Sequence, residues 1–174
     1  MDKNVSITTD LDGRKIAIIN DIRFQSRRGI EWDKVEKYLK EYIGLFFEIT
    51  ETSEKVYIGS DFPDEFSHSN DTKELRGANV KAKANMISAI GELVQIADDK
   101  VKYPDFSEKH GAKARLGWHR YTTRFGLPVY DKDGVLERYN VFTARMLVRC
   151  DEDGKLYLYD FVRTKKETSK PHEH

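Results

Sequence analysis

Residues 109–170 carry the side chains best suited to chemistry. Arg, Lys, Thr and Tyr recur there at alternate positions, along a stretch that reads as four short strands. Side chains alternate between the two faces of a strand. Arg120, Thr122 and Arg124 therefore share a face with Trp118, while His119, Tyr121, Thr123 and Phe125 take the other. The same alternation groups Thr143, Arg145 and Arg149 on a second strand, and Arg163 and Lys165 with Tyr157, Tyr159 and Phe161 on a third. Guanidinium groups bind phosphate oxygens two bonds at a time, and aromatic rings stack on bases. This pattern points to a phosphodiester partner. It equally suits an ordinary solvated sheet face.

The charge distribution supports a local anionic partner. Net charge is zero, but residues 1–108 hold 16 Lys and Arg against 21 Asp and Glu, whereas residues 109–170 hold 14 against 8. No apolar run approaches the ~18–20 residues that span a bilayer, and the start, MDKNVSITTD, has no secretory-signal pattern. The expected partners therefore exclude a membrane. The single cysteine, Cys150, forbids an internal disulfide and fits a reducing compartment; its spacing from Met146 and Val148 places it in a core. No Cys or His cluster has zinc spacing, and His172 and His174 lie in a polar tail. No metal and no cofactor is expected, since GxGxxG, GxxxxGK[ST] and GxSxG are all absent.

Several elements must position these residues. Residues 5–8 and 15–20 flank Asp12-Gly13 and read as a hairpin. Trp32, Val35, Tyr38, Leu39 and Tyr42 have helical spacing over 31–44. Strands are expected at 46–50 and 56–59, and a loop at 60–72, where Pro63 and Asn70 act as breakers. The stripe Leu75, Ala82, Met86, Ile90, Leu93, Val94 and Ala97 predicts one long helix over 73–99, and 100–114 reads as a connection. Strands then follow at 116–130, 135–150 and 155–165, joined by two-residue turns at Asp133-Gly134 and Asp153-Gly154. Phe142, Ala144, Met146, Val148 and Cys150 should meet the long helix. The expected fold is α+β: an N-terminal hairpin and helices, with one long central helix packed on a C-terminal antiparallel meander. A single domain spans 1–170, and 171–174 is a disordered or appended tail.

This order of elements resembles the barnase–EndoU–colicin–RelE superfamily of metal-independent RNases. More closely, VEKYLKEYIG, FEITETSEKVYIGSDFPDEF, KAKAN, EKHGAKARLGWHRYTTRF, LPVYDKDGVLERYNVF and KLYLYDFVRTKKETS resemble a domain of polyvalent proteins from phages and conjugative elements. The resemblance implies an effector in the cytoplasm of a host or recipient cell. It would cut RNA by attack of a ribose 2′-OH on the adjacent phosphorus, using a base, an acid and cations on the phosphoryl oxygens. Carried onto this chain, His110, Arg120, Lys165 and Thr168 become catalytic candidates, with His119 and His68 as further histidines. Arg124, Tyr121, Arg145, Arg163, Lys166 and Ser169 become phosphate and RNA contacts. RNA is the implied partner, with an antitoxin, immunity or host defence protein beside it.

Two other readings remain open. The chain could be a binding protein that contacts nucleic acid or blocks a host nuclease, with Asp61, Asp64, Glu65, Asp71 and Glu74 imitating DNA phosphates. An ADP-ribosyltransferase would need a catalytic glutamate, for which Glu137 and Glu167 are available.

Overall fold

One tetrapeptide pattern, Asp-x-Asp-Gly, closes three hairpins. In a computed structural model that describes residues 4–25, 29–104 and 117–168, β1 (Val5–Thr9) and β2 (Lys15–Ile19) flank Asp10–Gly13. The pattern returns at Asp131–Gly134, between β6 (Trp118–Tyr130) and β7 (Leu136–Cys150), and at Asp151–Gly154, between β7 and β8 (Leu156–Lys166). In each turn the glycine N–H donates to the carbonyl of the first aspartate, at 2.9–3.1 Å. Asp10 and Asp131 also accept two backbone N–H bonds each through Oδ1, at 2.9–3.0 Å. Such Asx bonds preform a turn before any strand pairing exists.

Strands β6, β7 and β8 are three long antiparallel strands of 13, 15 and 11 residues, not four short ones. They form the middle of a larger sheet. β2 joins β6 in parallel at Ala17↔Phe125, and β5 (Asp98–Tyr103) pairs antiparallel with the earlier part of β6. On the far side β4 (Lys55–Tyr57) runs parallel to β8, and β3 (Phe46–Glu48) closes the edge. The order is β1-β2-β6-β7-β8-β4-β3, a mixed sheet of eight strands curled into a half-barrel.

This overturns the expected long helix on a meander. The span 73–99 is broken into α4 (Ala78–Asn85), a 3₁₀ turn at Met86–Ala89 and α5 (Ile90–Gln95), and it ends in β5. Gly77 starts α4 from φ 61°, a conformation no helix continues through. Asn85, 1 % exposed, spends its side chain on the segment before α1 (Trp32–Leu39). Its Oδ1 accepts from the N–H groups of Arg23 and Phe24, and its Nδ2 donates to the Phe24 carbonyl. The helical path tightens to 3₁₀ at this point. The apolar stripe is a core signal from Ala82 to Ala97, but its residues are divided among α4, the 3₁₀ turn, α5 and the approach to β5, and Leu75 is half-buried outside them.

The loop expected over 60–72 contains α2 (Phe62–His68) and α3 (Asn70–Glu74). Pro63 sits in the first turn of α2, where its missing N–H costs nothing. Ser69 Oγ caps α3 by accepting from the Thr72 N–H. α2, α3 and α4 pack on β8 and α5 on β6, covering the concave face of the sheet, and α1 packs on α2. Phe62, Phe66, Leu93 and Val94 meet Phe125, Phe142, Ala144, Met146, Val148 and Phe161 in one buried cluster. Two bulges against β7 break the alternation of β8, so Asp160 and Phe161 are both buried. Phe161 therefore packs on Phe62 and Phe66 rather than sharing a face with Lys165.

Candidate functional site

The convex face of β6–β7–β8 gathers part of the predicted set. Cross-strand register aligns Thr122 with Arg145 and Val162, and Arg124 with Thr143 and Lys165. Arg120 is one step along β6, and Arg163 is next to Val162. Arg145 senses both Arg120 and Arg163. Burial, and then the positive charges of Arg120 and Arg163, hold the Arg145 guanidinium below its ordinary value. None of the three makes a side-chain ion pair or hydrogen bond among the described residues. Arg163 adopts φ 55°, and its N–H donates to Asp71 Oδ1 at 2.9 Å. A left-handed arginine fixed by a carboxylate marks a strained position on this face.

Arg124 stands on the same face but is fully engaged. Its Nε donates to Glu167 Oε2 at 2.8 Å, its Nη2 to Glu167 Oε1 at 2.9 Å and its Nη1 to Asp10 Oδ2 at 2.6 Å. Thr143 Oγ1 donates to Glu167 Oε2 at 2.7 Å. Hydrogen bonds from Arg124 hold Glu167 and Asp10 below the usual carboxylate range, and the bond to Glu167 pushes Arg124 up. Glu167 is therefore anionic at neutral pH. Its Oε1 accepts one of these bonds and its Oε2 two, so Oε1 keeps lone-pair capacity for a proton.

Of the remaining candidates, Lys165 shares this face and the others are dispersed. Lys165 and Thr168 are exposed, Lys165 opposite Thr143 and Thr168 beyond the end of β8. Lys166 is exposed opposite Phe142, and its N–H donates to Asn79. Tyr121, expected to contact RNA, is 1 % exposed on the concave face, because strand alternation sends its large ring into the core. Its hydroxyl donates to Glu54 Oε1 at 2.7 Å. His119 is also on that face, with Nδ1 3.2 Å from the Tyr121 hydroxyl and 3.5 Å from Glu54 Oε2. Burial and then the Lys100 charge push His119 down. Burial works to raise Glu54, but its bonds from Lys100 and Tyr121 outweigh it and leave it lowered. This group is separated from the arginines by the sheet itself. His68 belongs to the helical layer. His110, Ser169 and the tail histidines lie outside the described residues.

The acidic residues considered as a phosphate mimic are largely committed. Asp61 pairs with Arg149, Asp71 with Lys83, and Glu65 with the Tyr159 hydroxyl. Lys83 is 0 % exposed and reaches Asp160 at 3.0 Å and Asp71 at 3.2 Å, which makes this a structural ion cluster. Glu137 is exposed and pairs with its neighbour Arg138.

Sequence reasoning missed Glu167 as the partner of Arg124, and Asp10 as the third member of that group. The signal for Glu167 was its place in KKETS, two residues beyond Lys165 on the closing strand. Nothing in the sequence announced Asp10, which arrives through the parallel pairing of β2 with β6. Comparison with protein-family models, with curated proteins and with solved structures gives no match. Among the described residues no helix is long and apolar enough to cross a membrane.

Proposed function

We propose that the convex face of β6–β8 binds RNA by its phosphates and opens one phosphodiester without a metal, in the manner of the RNase superfamily the sequence resembles. The observation that carries this reading is an anionic carboxylate, Glu167, on the same face as three arginines that make no side-chain ion pair among the described residues. Glu167 takes the proton of the ribose 2′-OH. The 2′-oxygen bonds to phosphorus, the bond from phosphorus to the 5′-oxygen breaks, and that oxygen takes its proton from water. Arg145 and Arg120 lie where charge on the phosphoryl oxygens would be met by guanidinium donors. Arg124 orients Glu167 rather than gripping phosphate. Incubation with tRNA in EDTA tests this: the wild type should cleave, and Glu167→Gln and Arg145→Ala should each lose activity by about 10²-fold or more. Cleavage unaffected by both substitutions would remove the site.

A second reading, nucleic-acid binding without cleavage, is favoured by the way Arg124, Thr143 and Asp10 surround Glu167. No histidine among the described residues stands on this face to act as the acid. That reading expects salt-dependent RNA binding and no cyclic-phosphate product.

A further inference from the structure

The helical layer carries a separate constellation on the opposite side of the sheet. Asp33 and Glu36 lie three residues apart on α1, hence on one face of that helix. His68, the last residue of α2, meets both: its Nε2 is 2.9 Å from Glu36 Oε1 and 3.3 Å from Asp33 Oδ1. One donor atom from each of the three lies within 4.8 Å of the other two. Ligands bonded to one tetrahedral ion at about 2.1 Å sit roughly 3.4 Å apart, so these donors need only small shifts to share an ion.

Two further features surround the group. Asp33 and His68 line a cavity of about 1550 Å³, between the helices and the ends of β6 and β7. Ser67 lines the same cavity; it is 1 % exposed, and its hydroxyl has no hydrogen-bond partner among the described residues. A buried, unmatched hydroxyl next to His68 is costly unless something accepts or donates to it. A small polar ligand in the cavity would do so.

We propose that Asp33, Glu36 and His68 bind one divalent transition-metal ion, with zinc the best fit to one imidazole and two carboxylates. Three protein ligands leave a position open to the cavity, the pattern of a reactive rather than a sealed site. The two carboxylates supply the negative charge that a divalent ion neutralises. The site is independent of the arginine face, and its failure would leave the RNA reading untouched.

The test uses the full chain, stripped with EDTA, desalted, and titrated with Zn²⁺ by calorimetry and with Co²⁺ by visible absorption. One ion per chain is expected, with a Co²⁺ spectrum of four- or five-coordinate form. His68→Ala should weaken binding by more than the roughly 10–100-fold that loss of an outer-sphere partner costs. Glu36→Gln, which keeps the shape of the side chain, should do the same while circular dichroism stays unchanged. Replacing His172 and His174 with Ala should leave the affinity intact. No uptake of either ion, uptake unchanged in a folded His68→Ala or Glu36→Gln protein, or uptake lost with the tail histidines would each overturn the site.

Discussion

Arg124 holds Glu167 with two nitrogens at once, Nε on Oε2 at 2.8 Å and Nη2 on Oε1 at 2.9 Å. The pair spans β7, which adds Thr143 from between them, and the third nitrogen of Arg124 reaches Asp10 in the first hairpin turn. One guanidinium therefore ties β6, the residue after β8 and the N-terminal hairpin together. An arginine already committed to two carboxylates is a poor phosphate clamp, whereas Arg120, Arg145 and Arg163 make no side-chain bond among the described residues.

Removing that tie should loosen the sheet. Arg124→Ala leaves two partly buried carboxylates without their charged donor and should cost about 2–3 kcal/mol. Arg124→Lys should recover little of it, since an ammonium cannot reproduce the two-nitrogen fork. Urea denaturation measures both, and a midpoint unchanged in Arg124→Ala would show that the network contributes nothing to stability.

Arg120, Arg145 and Arg163 should govern the salt dependence of RNA binding. Each phosphate contact on a single strand contributes about 0.7 to the slope of log K against log salt. The combined Arg120→Ala, Arg145→Ala and Arg163→Ala protein should lose roughly 2 units of that slope. Fluorescence anisotropy with a labelled single-stranded RNA, repeated across salt concentrations, gives the slope. Equal slopes for the two proteins would rule out phosphate contacts by these residues.

Burial pushes Asp160 up to about 7 from the ordinary 3.8, against the bonds it receives from Lys83 and Ser69. A folded-state value above the unfolded one means that this group's contribution is full below 3.8 and is lost as pH rises through about 7. Asp10, Glu54 and Glu167 are lowered instead, so their contributions are lost as pH falls through the carboxylate range. Asp160→Asn fixes the uncharged form of this side chain, so it should stay close to the wild type below about pH 4 and should not share the wild type's loss of stability as pH rises through about 7. Its urea midpoint should also change less with pH between about 4 and 7 than that of the wild type. Parallel curves for the two proteins would show that Asp160 does not titrate in this window.

Gly117 enters β6 at φ 92°, and a Cβ there would lie 2.6 Å from the Tyr103 carbonyl oxygen at the end of β5. Neither atom belongs to a flexible side chain. Gly117→Ala should destabilise the fold by about 2–4 kcal/mol, combining the left-handed penalty with displaced backbone. Thermal unfolding checks this, and a melting temperature within a degree of the wild type would contradict the close approach.

The parts legible in the sequence were the short-range ones. Asp133-Gly134 and Asp153-Gly154 mark hairpins because a turn is decided within four or five residues, although each turn is longer than two residues. The apolar alternation of Phe142, Ala144, Met146, Val148 and Cys150 gives the buried face of β7 for the same reason. The long helix failed because the break depends on Asn85 bonding to Arg23 and Phe24, some 60 positions earlier. The loop at 60–72 failed because a proline breaks a helix interior but fits a first turn, and Pro63 falls in the first turn of α2. Parallel pairing of β2 with β6, and of β4 with β8, joins segments that carry no mark of each other. Of the candidate site, alternation grouped Arg120, Arg124 and Arg145 on one face, but it could not reveal that Asp10 and Glu167 occupy Arg124.

The most direct test of a cleaving carboxylate on this face is a pair of short RNAs in EDTA, one all-ribose and one with a single 2′-deoxy residue at the cleaved position. Cutting of the first to a 2′,3′-cyclic phosphate, no cutting of the second, equal binding of both, and loss of cutting in Glu167→Gln are the expected results. Cutting of the deoxy-substituted RNA, a requirement for added metal, or full activity in Glu167→Gln would contradict it.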